Sequence, residues 1–96
     1  MKNLNVVVYT MKGCPFCTDF KEMLVKENVE FFDRDIDEYK EEYDMFVEIT
    51  ENEFVPAFMI VESPEVEKPN SYLFAPDRDF NELEEGVDII KEHLLR

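Results

Sequence analysis

Short continuous apolar runs alternate along this chain with segments whose apolar residues recur every three to four positions. "LNVVVYT" (Leu4–Thr10) is a short apolar, β-branched run that suits a buried strand. After the turn "MKGC", Phe16, Phe20, Met23 and Leu24 recur at helical spacing, while Thr18, Asp19, Lys21, Glu22 and Lys26 take the other side. This predicts a helix from Pro15 to Glu27 that stops near Asn28, with Pro15 in the first turn, where its missing N–H is not needed. "VEFFDRDID" predicts a second strand from Val29 to Arg34, and a second helix follows over Glu38–Ile49 with Tyr39, Tyr43, Phe46 and Ile49 toward the core. "FVPAFMIVE" reads as a third strand with Pro56 at its start, where the ladder tolerates it. "SPEVEKPN" is a polar turn longer than a tight hairpin needs, and "SYLFA" gives a fourth strand. Phe80, Leu83, Val87, Ile90 and Leu94 then form one stripe of a last helix. Asp79 or Asn81 caps its start, and Lys91, His93 and Arg96 favour its end.

The order is βαβα followed by ββα. The first half asks for a right-handed parallel crossover, the second for an antiparallel pair and a closing helix. The expected architecture is a four-stranded mixed α/β sheet with helices on both faces, in one domain spanning 1–96.

Composition agrees with a globular fold: 45% of the 96 residues are apolar, with nine Phe, four Tyr and only two Gly. There is no internal repeat or low-complexity segment. No window holds eighteen consecutive apolar residues, and the N-terminal apolar run is too short for a signal peptide, which implies a soluble, cytoplasmic protein. Twenty-four acidic against ten basic residues leave a formal charge of −14. That field repels phosphate backbones and anionic membranes, so neither nucleic acid nor membrane is an expected partner. The charge serves solubility or steers toward a basic partner surface, two roles that sequence alone does not separate.

Candidate chemistry lies in "TMKGCPFCTDFKEML", which holds both cysteines. Cys14 and Cys17 would close so small a loop that a stabilising staple explains them poorly. Half of a zinc site looks the same, but zinc normally needs four ligands, and the chain offers only His93, far along the final helix. Redox use remains. A helix start presents unpaired N–H groups and a partial positive charge, both favouring thiolate over thiol. Cys14 at that start is expected to be exposed and to attack. Cys17, one turn inside and shielded by Phe16, Phe20 and the first strand, resolves. Lys12 adds a nearby positive charge.

These residues resemble the glutaredoxins, a family of thioredoxin-like fold. The resemblance runs from Val6 to Leu95 and rests on "YT" before the turn, "CPFC" against the family's C-P-Y-C, Lys21 and Leu24, "DID" after the second strand, and "VP" opening the third. It implies a dithiol oxidoreductase without a bound cofactor or metal, using glutathione as co-substrate on disulfide-bearing proteins such as a ribonucleotide reductase, and acting as a monomer. It also implies a cis Val55–Pro56 bond beside Cys14, which leaves the Val55 backbone open to an incoming peptide. Glutathione contacts would come from Lys12, Phe16, Val55, Pro56, Arg78 and Asp79, the last facing the glutathione amino group at the start of the final helix.

The sequence departs from the family at three places. Met11 stands where a Lys or Arg is usual, Phe54 where Thr usually precedes V-P, and Ala75-Pro76 where Gly-Gly lets backbone approach glutathione. The bulkier Ala-Pro implies weaker glutathione binding. Two other readings share the motif: a reductant recycled by a thioredoxin-reductase-type flavoprotein, and an iron–sulfur carrier, which Pro15 and Cys17 count against.

Overall fold

β1 (Leu4–Thr10) occupies the middle of the sheet, and its alternation decides the layering. In the computed structural model, which describes residues 4–62 and 71–95, it is followed by α1 (Pro15–Lys26), β2 (Phe32–Asp35), α2 (Lys40–Thr50), β3 (Ala57–Glu62), β4 (Ser71–Phe74) and α3 (Leu83–Leu95). The sheet order is β2-β1-β3-β4, with β1 parallel to β2 and the other pairs antiparallel. The expected βαβαββα order and mixed sheet are therefore present. The "SPEVEKPN" turn and Arg96 fall outside the described residues.

Successive strand residues point to opposite faces. Val6 and Val8 of β1, with Phe58 and Ile60 of β3, pack against Phe20 and Leu24 of α1 and Val87 and Ile90 of α3. Val7, Tyr9 and Ala57 face the other way, onto Tyr43 and Phe46 of α2. Phe58 is fully buried at the centre of the first layer, with ring centroids 4.9 Å from Phe74, 5.5 Å from Phe80 and 5.7 Å from Phe20.

Several boundaries differ from the pattern, each for a local reason. Val29 does not open β2. Its N–H donates to the Leu24 carbonyl at 2.9 Å and closes α1, after Asn28 turns the chain at φ 59°. On α2 the buried position is Thr50 rather than Ile49, which is exposed. Thr50 tolerates burial because its hydroxyl donates back to the Phe46 carbonyl at 2.8 Å. Tyr39 lies at the helix cap, exposed, with the Arg34 guanidinium 5.1 Å above its ring. The last helix starts at Leu83. Phe80 is buried but sits on the preceding loop, and Leu94 is exposed near the chain end. Neither Asp79 nor Asn81 caps α3; instead the Glu85 carboxylate accepts the Glu82 N–H at 2.9 Å, half of a capping box.

Gly86 lets α3 settle onto this layer. A Cβ there would stand 3.0 Å from one edge atom of the Phe20 ring and 3.3 Å from one of Phe58. Gly86→Leu is expected to lower unfolding stability by about 1–3 kcal/mol through overpacking, despite the better helix propensity of Leu. Chemical denaturation checks this, and an unchanged midpoint would contradict the close approach.

Candidate active site

The turn after β1 sets up the cysteines. Gly13 takes φ 76°, a left-handed conformation that suits glycine, and so brings Cys14 to the N-cap of α1. The Cys14 N–H donates to the Met11 carbonyl at 3.3 Å, and the Thr18 N–H donates to the Cys14 carbonyl at 3.2 Å. Cys14 and Cys17 form a disulfide with Cα atoms 5.3 Å apart. The Cys14 sulfur also accepts the Cys17 N–H at 3.1 Å. No carboxylate occupies the first turn of α1, so nothing there opposes negative charge on that sulfur.

The cysteines differ in exposure, though less than expected. Cys14 is 9% exposed and Cys17 1%. Cys14 is thus more covered than the sequence implied, because as N-cap its side chain folds back over the first turn toward Cys17. Phe16 shields neither; it is 64% exposed, since it projects from the first turn rather than over the sheet. Phe20 is the fully buried aromatic of α1. Lys12 is exposed on the turn and makes no ion pair among the described residues.

Two polar clusters brace the site. Thr10, the last residue of β1, donates its hydroxyl to Asp33 at 2.6 Å, and Lys21 of α1 donates to the same carboxylate at 2.9 Å. Burial alone would raise the Asp33 carboxyl. The hydrogen bonds from Thr10 and Lys21, with the Lys21 charge, outweigh it and hold Asp33 below its ordinary value. On the other face the Tyr9 hydroxyl donates to Glu42 at 2.5 Å, and Arg34 donates to both Glu42 oxygens at 2.6 Å. Burial, then the Glu42 hydrogen bond and charge, push the Tyr9 hydroxyl well above its usual range, so it stays a donor.

The Val55–Pro56 bond is cis, as the resemblance implied. Val55, Pro56 and Phe54 share a groove of about 400 Å³ with Phe16, which stands between the cysteines. Val55 makes no backbone hydrogen bond among the described residues. The opposite wall includes Pro76, Asp77, Phe80 and the start of α3 through Glu84. Of the expected contact residues, Phe16, Val55 and Pro56 come together here. Lys12, Arg78 and Asp79 do not line the groove. Asp79 is spent on its own loop: its carboxylate accepts the Ala75 N–H at 2.9 Å and an Arg78 N–H at 3.2 Å, and its N–H returns to the Ala75 carbonyl at 2.9 Å.

One residue with no signal in the sequence pattern holds the two walls together. The Asn52 side chain donates to the Pro76 carbonyl at 2.6 Å and accepts the Phe54 N–H at 2.9 Å. The Tyr43 hydroxyl adds a bond to the Glu53 carbonyl at 2.8 Å. The loop before β3 is therefore tied to both α2 and the loop before α3.

A thioredoxin-like sheet that carries a vicinal dithiol on the start of its first helix, beside a cis-proline loop, defines a class, the thiol–disulfide oxidoreductases. The match to the family model described as Glutaredoxin covers residues 6–63, more than half of the chain, so the chain belongs to the glutaredoxin family. No curated protein matches the chain closely enough to serve as a relative. Among the described residues no helix is long and apolar enough to cross a membrane.

Proposed function

We propose that the protein reduces disulfides of other proteins, and glutathione mixed disulfides, through Cys14 and Cys17. The Cys14 thiolate attacks one sulfur of the target disulfide. That S–S bond breaks as the Cys14–target bond forms, and the departing sulfur takes a proton. The Cys17 thiolate then attacks the Cys14 sulfur, releasing the second target thiol. Two electrons pass to the target, and the Cys14–Cys17 disulfide remains. Two glutathione molecules restore the dithiol and leave as glutathione disulfide. The observation that supports these roles best is the placement of Cys14, the less covered residue of the pair, at the N-cap, its sulfur accepting a backbone N–H. The protein acts as a monomer of one domain in the cytoplasm, with a ribonucleotide reductase among its plausible clients.

A second reading, recycling by a thioredoxin-reductase-type flavoprotein, is favoured by one feature. Pro76 lines the groove at a position where the family usually has Gly, leaving less room for glutathione.

The test uses reduced protein with glutathione and a glutathionylated peptide. Cys17→Ser is expected to keep turning this substrate over, since one thiol suffices, while losing activity on protein disulfides that need resolution. Failure of Cys17→Ser on the glutathionylated peptide, with full activity when a flavoprotein reductase drives the wild type, would transfer the function to the second reading.

A further inference from the structure

The groove beside the disulfide has an unusual charge. Asp19, Asp77, Glu82 and Glu84 line it with Met23, Phe54, Phe80 and Leu83, and among the described residues no Lys, Arg or His does. All four carboxylates are exposed, and none makes an ion pair or side-chain hydrogen bond among the described residues. The nearby guanidinium, Arg78, is engaged by Asp79 at 3.2 Å and stays outside the lining. Phe16 and Phe54 are both more than 60% exposed and are available to an apolar side chain. Glutathione carries one net negative charge, so this lining repels it, and the −14 of the whole chain adds to the repulsion.

From this charge and apolar lining we propose that the groove docks an extended polypeptide segment bearing basic and apolar side chains next to its disulfide. The inference rests on the proposed reading of Cys14 and Cys17 as the reducing pair and names the client class of that same site. Basic side chains meet the carboxylates of the groove, and an apolar one lies against Phe16 and Phe54. The Val55 backbone, which makes no hydrogen bond of its own among the described residues, pairs with the segment main chain. A small cationic disulfide would use the carboxylates alone; the free Val55 backbone and the two exposed aromatics favour a peptide.

The test is single-turnover oxidation of the reduced protein by three disulfides at low and physiological salt. The first is bis(2-hydroxyethyl) disulfide, which is neutral. The others are two peptides with one internal disulfide and a neighbouring Phe, flanked by Lys in one and Glu in the other. The Lys peptide is expected to react about tenfold or more faster than the Glu peptide at low salt, the ratio shrinking as salt rises. The combined Asp77→Asn, Glu82→Gln and Glu84→Gln variant is expected to lose most of that ratio. Equal rates for the two peptides, or a ratio untouched in the variant, overturn the docking proposal while reduction of the neutral disulfide leaves the reducing pair intact. No reduction of any of the three overturns both. Should the variant fail to fold, a cysteine-free Lys–Phe peptide titrated into the oxidised wild type provides the second readout. Amide shifts at Phe16, Phe54, Val55 and Leu83 support the groove, and shifts confined elsewhere overturn it.

Discussion

Cys14→Ser is expected to reduce no disulfide above the uncatalysed background. The reason is chemical and geometric together. A serine hydroxyl at this position stays protonated at neutral pH, whereas the thiol loses its proton readily where helix N–H groups and the helix dipole favour the anion. The N-cap geometry supplies that setting: the Cys17 N–H points to the Cys14 sulfur at 3.1 Å, and the first turn holds no carboxylate. Serine is itself a good N-cap, so α1 is not expected to fray, and the loss of activity is chemical rather than structural. Steady-state reduction of a peptide disulfide checks it. Full activity in Cys14→Ser would reassign the attack to Cys17.

The second large effect is on stability. Phe58→Ala is expected to lower the unfolding free energy by about 3–5 kcal/mol. Phe58 is fully buried, and Phe20, Phe74 and Phe80 surround it from α1, β4 and the loop before α3. Those partners come from separate parts of the chain and cannot all collapse into the space it leaves. Against a total of about 5–15 kcal/mol for a domain, the loss is a large fraction, and thermal unfolding is expected to fall by ~15 °C or more. Differential scanning calorimetry measures this directly. A loss below ~1 kcal/mol would mean that the aromatic layer repacks and that Phe58 is not its centre.

The parts of the fold that were legible in sequence are those governed by local periodicity. β1 occupies Leu4–Thr10 as read, because a β-branched run in the middle of a sheet has both faces buried and no competing period. α1 was readable because Pro15 marks its start and Phe20 and Leu24 its buried side. Pattern and structure part where a local period in the sequence runs on past the end of the folded element. Phe80 sits at helical spacing from Leu83, yet hydrogen bonds among residues 75–80 hold it on a loop. Ile49 is more apolar than Thr50, but helix phase decides burial, and a hydroxyl that bonds back to Phe46 makes burial of Thr50 tolerable.

The candidate site divides the same way. Cys14, Cys17 and Pro56 carry chemistry or conformation in the residue type itself, and the motif spacing finds them. The groove does not show in this way. Its walls meet through Asn52 and Pro76, 24 residues apart, a pairing that no local pattern encodes. Asp79 was expected at a helix start; it bonds instead to Ala75 across its own loop, a choice between partners that only the folded backbone decides.

In the proposed exchange Cys14 forms the bond to the target and Cys17 breaks it. Mass spectrometry of reduced Cys17→Ser mixed with a disulfide peptide tests it most directly. A stable adduct of one peptide is expected, mapped by proteolysis to Cys14, with no corresponding adduct at Cys17 when Cys14→Ser is treated the same way. An adduct that forms readily at Cys17 in Cys14→Ser, and none at Cys14 in Cys17→Ser, would contradict it.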